Sequence, residues 1–168
     1  MTVTYDPIAT QTLGSAAATV TFSSIPSTFT DLVLVVSGRS TNGSGDDSMY
    51  MRFNGDSGTN YSWTRILGNG SAASSFRLSN QTVGTIDGIS GGSTASGTFS
   101  ATIANFQNYS NTTTNKTILG RSNVAGSYTV ANVNLYRSTS AISSMVLSLA
   151  TGNFATGSTF TLYGIKAE

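Results

Sequence analysis

Short runs that alternate apolar and polar residues with a period of two limit this chain more than any other feature. In SMYMRFN, Met49, Met51 and Phe53 alternate with Ser48, Tyr50 and Arg52, which places the apolar set on one side of a sheet and suits no helix. Comparable runs are AATVTF (Ala17 to Phe22), DLVLVVSGRS (Asp31 to Ser40), YSWTRILG, SFRLS, TFSATIANF, KTILGRSN, SYTVANVNLYRS, SSMVLSL and TFTLYGIKA. Pro26 and clusters of Gly, Asn, Asp and Ser separate them, so the chain predicts roughly ten strands of a sandwich or barrel.

The faces of these strands differ. Leu32, Leu34 and Val36 share one face and Val33 and Val35 the other, the pattern of a strand covered on both sides. Phe99, Ala101 and Ile103 alternate with small polar residues, as in a half-buried strand, and Thr129, Ala131, Val133 and Leu135 lie opposite Tyr128, Val130, Asn132, Asn134 and Tyr136. Asn54-Gly55 and Asn69-Gly70 supply residues suited to positive φ in tight turns. The stretches Asn42 to Asp47 and Asp87 to Gly97 are expected to be solvent-facing loops.

A chain of 168 residues fits one domain, 1–168. Charged residues make up only 9%, far below the usual quarter, so hydroxyls and amides must solvate the surface. The net charge of +1 and the lack of a basic block argue against nucleic acid as a partner. No run approaches the ~20 apolar residues of a membrane helix, so no membrane association is expected. MTVTYDPIAT has no leader character, which predicts synthesis in a cytoplasm without export by a signal peptide.

The chain has neither cysteine nor histidine, which removes disulfides, thiolate nucleophiles, the usual zinc ligands and a Ser-His-Asp triad. Lys116 and Lys166 lie in no S-x-x-K motif. Asp46, Asp47 and Asp56 could pair as glycosidase carboxylates or contribute oxygens to Ca²⁺, but Asp beside Gly and Asn is ordinary turn chemistry. The expectation is a non-enzymatic protein with no catalytic residues, metal or cofactor.

Two patterns suggest binding. Arg39, Arg52, Arg65 and Arg77 recur at near-equal spacing, either as one solvent-facing charge per strand or as a cross-strand row for an acidic partner. Tyr61 and Trp63, on one face of a strand, could form a carbohydrate platform, although a sole Trp in a sandwich more often packs in the core.

YDPIATQTLGSAAATVTFSSIPSTFTDLVLVVSGRS, MYMRFNGDSGTNYSWTRILG and FTLYGIKA, in this order, resemble small all-β virion proteins of tailed bacteriophages, particularly aquatic and cyanobacterial phages. The resemblance implies a jelly-roll-like antiparallel β-sandwich of roughly eight to ten strands, commonly a trimer fixed to a larger lattice. It implies a virion location and a structural role as a capsid decoration or cement protein, with the major capsid protein or another virion protein as partner. The alternative is a tail or fibre receptor-binding module that holds a host-surface glycan through Tyr61 and Trp63. Tyr5, Ile8 and Leu13 are the expected contacts with neighbouring subunits or the capsid, unless they merely cap the sandwich. The final segment, FTLYGIKAE, is expected to pair beside an early strand and lock the ends of the chain together.

Overall fold

Each alternating run becomes a strand, and two further segments join them. A computed structural model describes residues 4–166, with twelve strands and no helix among them. In chain order these are β1 (Tyr5–Thr12), β2 (Thr19–Phe22), β3 (Asp31–Gly38), β4 (Asp46–Phe53), β5 (Tyr61–Gly68) and β6 (Ala73–Gln81). There follow β7 (Gly84–Ser90), β8 (Ser100–Gln107), β9 (Lys116–Val124), β10 (Tyr128–Tyr136), β11 (Met145–Leu149) and β12 (Thr159–Ile165). All pair antiparallel, in an eight-stranded sheet ordered β1-β12-β3-β8-β9-β10-β5-β6 and a four-stranded sheet ordered β2-β11-β4-β7. The fold is an all-β sandwich with two more strands than the upper expectation.

The core lies between the sheets. Leu32, Leu34, Val36, Phe106, Phe160 and Leu162 from the larger sheet meet Phe22, Met49, Met51, Phe53 and Leu147 from the smaller. As expected, β12 lies beside early strands: it is inserted between β1 and β3, with Phe160 and Leu162 fully buried. Ala167 and Glu168, the end of that predicted segment, lie outside the described residues.

The two strands that the alternation does not reveal have physical reasons to be obscure. β1 carries Pro7 at a bulge, which an edge strand tolerates because it needs fewer ladder donors. β7, GTIDGIS, is interrupted by Gly88 at φ +94°, where the β4–β7 register slips by one residue. All seven residues of β7 are buried, so the expectation of a solvent-facing loop from Asp87 fails for Asp87 to Ser90. That loop begins only after the strand.

The burial of β7 explains an inversion in the larger sheet. One edge of β7 pairs with β4; on the other, the Ser90 carbonyl accepts from the Ser40 N–H, and further backbone groups meet side chains from β8, β9 and β10. The Thr85 N–H donates to Asn134 Oδ1 at 2.8 Å, and Asn134 Nδ2 donates to the Thr85 carbonyl at 3.0 Å. Ser122 Oγ donates to the Asp87 carbonyl, and the Ser90 N–H donates to Ser100 Oγ at 2.7 Å. Buried backbone groups need partners, so polar side chains point inward here. In β8 the buried residues are Ser100, Thr102, Ala104 and Phe106, while Ala101 and Ile103 turn outward.

Candidate interaction face

The outer face of the eight-stranded sheet follows directly from that inversion. Strand register sets its side chains in rows across the sheet. One row runs Arg77, Thr64, Val133, Leu119, Asn105, Val33, Tyr163 and Pro7. The next runs Ser75, Ile66, Ala131, Arg121, Ile103, Val35, Thr161 and Thr10. Beyond this second row, Thr129, Asn123, Ser37 and Thr159, with the small Ala101 among them, form a largely polar margin.

Apolar side chains in the two central rows are open to solvent: Ile66 is 62% exposed, Leu119 48%, Val133 40% and Val35 37%. Val35 is informative because the β3 pattern predicts cover on both faces: on the outer one Val33 is buried as expected, whereas Val35 is open. Tyr5, 55% exposed, extends the face at its β1 end, with its ring edge-on to Tyr163 at 6.2 Å. Of the three expected assembly residues, Tyr5 therefore lies on this face, whereas Ile8 and Leu13 pack against the core.

The glycan residues lie elsewhere. Tyr61 is 1% exposed; its ring stacks on Tyr136 at 4.8 Å and its hydroxyl accepts from the Phe53 N–H, while burial raises its pKa. A ring held this way presents no surface to a sugar. Trp63 is 9% exposed and packs on Phe76 at the open margin of β5 and β6, so the pair does not form a solvent-facing platform.

The four regularly spaced arginines do not form a row. Arg39 is wrapped by residues 92–98, donating to Thr94 Oγ1 and to the carbonyls of Gly92, Thr94, Ala95 and Thr98. Arg65 pairs with buried Asp87 at 2.5 Å, Arg52 lies on the outer side of the smaller sheet, and only Arg77 stands on the outer face of the larger one. Three uses of one residue type underlie the even spacing.

The carboxylates are engaged in structural hydrogen bonds. Asp47 is buried and accepts from Ser40 Oγ at 2.8 Å, the Gly152 N–H at 3.0 Å and Thr151 Oγ1 at 3.2 Å. Its neighbour Asp46 is exposed and accepts from Tyr128 Oη at 2.5 Å. Asp56 accepts from the Gly58 N–H and Asn60 Nδ2, both at 2.8 Å, and the Asn60 contact leads in holding its pKa low. Among the described residues, no group of three or more His, Cys, Asp or Glu is placed to hold a metal ion.

Sequence reasoning misses the outer face as a unit, although its signals are present in Val33 and Val35 and in Ala131 and Val133. Comparison with known proteins returns no match, either to a family or to a curated sequence.

Proposed function

We propose that this chain is a non-enzymatic structural protein of a tailed-phage virion, assembled as a homo-oligomer of the trimeric kind and decorating the capsid as a cement protein. The observation that carries the assembly reading is the outer face of the eight-stranded sheet, where Val35, Ile66, Leu119 and Val133 are exposed in adjoining rows. With eight strands spaced ~4.8 Å apart, the face measures roughly 34 Å by 20 Å. That is on the order of 700 Å², close to the ~800 Å² that each partner contributes to a standard interface. Many such contacts of modest strength become tight when an oligomer engages several lattice sites together.

Strand order supports the jelly-roll part of the reading. β1-β12-β3-β8 and β2-β11-β4-β7 interleave early and late strands in the manner of a two-sheet Greek-key sandwich. The hairpins β5–β6 and β9–β10 extend the larger sheet beyond that frame and broaden its outer face.

The test is the copy number of this chain relative to the major capsid protein in purified particles, by quantitative mass spectrometry, together with a Leu119→Glu variant. Decoration predicts copies in the hundreds, and a variant that melts normally but fails to join the particle. A dozen copies or fewer would place the chain on a tail or fibre and favour the receptor-binding alternative. Absence from the particle would end both readings.

A further inference from the structure

Charge on the outer face is one-sided. Arg77 and Arg121 stand in its central rows, and Arg137 follows β10 at the β5 end of the face. Asp31, the acid at the opposite side, already accepts from the Asn108 N–H at 2.7 Å. Among the described residues the ion pairs are Arg65–Asp87 and Lys166–Asp6, so none of these three arginines has an acidic partner.

Two of them share a cleft of about 160 Å³, in which Arg77 and Arg137 line a pocket with Ser62, Thr64, Val133 and Leu135. Arg137 Nη2 donates to Ser62 Oγ at 2.5 Å, whereas its Nη1 is shielded from solvent and has no partner. A guanidinium fork matches a carboxylate in shape and charge. A volume equal to several waters, at ~30 Å³ each, admits the end of an acidic side chain.

We infer that the partner of this face is a protein surface bearing carboxylates, and that one Asp or Glu side chain of that partner enters the cleft between Arg77 and Arg137. This rests on reading the face as an assembly surface and adds the chemistry of what covers it. A second copy docking through the same face would set arginine-rich surfaces against each other. An acidic sugar would leave the apolar rows beside the cleft uncovered, whereas a protein surface supplies apolar side chains around its carboxylates.

Because Trp63, the sole tryptophan, turns its ring to Phe76 on the other side of β5, occupancy of the cleft is read from the fluorescence anisotropy of a label on each titrant. The experiment titrates the protein with a peptide alternating glutamate and leucine, with its glutamine counterpart, and with polysialic acid. The expected result is a saturable change with the glutamate peptide that weakens with salt. The change should be at least about tenfold weaker for the glutamine peptide and for Arg77→Gln/Arg137→Gln, with near-native melting of the variant. Equal response to both peptides, no response to either, or a response unaffected by the arginine substitutions would overturn the inference. Saturation by polysialic acid alone would overturn it in favour of a glycan. An assembly face for a neutral partner would fail here while still incorporating into particles and losing that ability with Leu119→Glu.

Discussion

Asn134 on β10 binds both backbone groups of Thr85 on β7, N–H and carbonyl, as a neighbouring strand would. With Ser122 and Ser100, which bond the Asp87 carbonyl and the Ser90 N–H, it closes an edge of β7 that no strand pairs among the described residues. The contact also holds the smaller sheet to the larger by polar means, where apolar packing alone would leave buried amide groups without partners.

Asn134→Ala removes both bonds and leaves the Thr85 groups buried. At ~1–3 kcal/mol for each of the two unsatisfied groups, the variant should lose about 2–6 kcal/mol of stability. Urea denaturation measures the loss, and hydrogen exchange at the Thr85 amide should accelerate in step. An unchanged midpoint would refute the edge-closing role.

Arg39 should act mainly on the loop that surrounds it. Arg39→Ala deletes the donors to Gly92, Thr94, Ala95 and Thr98, and residues 92–98 should become sensitive to limited proteolysis while the strands stay protected. Arg39→Lys should rescue little, because one ammonium cannot replace a planar fork. Equal cleavage of wild type and variant would contradict this account.

Gly164 makes room for an aromatic ring. A Cβ at this position would lie 2.3 Å from Phe29 Cγ, so Gly164→Ala should cost about 1–3 kcal/mol through overpacking. Adding Phe29→Leu should restore part of that loss. A double-mutant cycle in denaturant would show the coupling, and strictly additive losses would argue against a direct clash.

Stability should fall at alkaline pH. Burial raises the pKa of Tyr61, Tyr109, Tyr128 and Tyr136, with Asp46 adding to the effect on Tyr128. These phenols keep their protons in the folded chain above the pH of about 10 at which the unfolded chain releases them. The unfolded state then binds fewer protons, so their contribution is complete below about pH 10 and is lost as pH rises. Lys116 works in the opposite sense because burial lowers its pKa, but it is one group against four. Tyrosinate absorbance should show a late, cooperative step coincident with unfolding, and its absence would count against the burial of these rings.

Strands with strict alternation were legible in the sequence, as was the turn at Asn54-Gly55, where both residues have positive φ. Two strands were not, because Pro7 and Gly88 sit at bulges that break the period. The faces of β8 were also obscured. Ser100 and Thr102 look solvent-facing by composition, yet Ser100 supports the backbone of β7, so Ala101 and Ile103 turn outward. The same effect hid part of the interaction face, because Leu119 and Val133 come from β9 and β10, whose Ser122 and Asn134 are needed inside. Tyr61 and Trp63 were correctly placed on the same strand, but the position of β7 and the rings of Phe53 and Tyr136 decide that Tyr61 belongs to the core.

The position of β12 also sets a timetable for synthesis. Thr10 on β1 meets Thr161 across a separation of 151 residues, and β3 gains its second neighbour from the same strand. The ribosome therefore releases β1 and one edge of β3 long before their partner exists. The smaller sheet cannot shield them fully in the interval, since its own β11 is also made late. Productive folding must wait until β12 has emerged, and a nascent chain stalled before that point is an aggregation hazard, with a valine-rich strand edge left open to its neighbours on the same polysome.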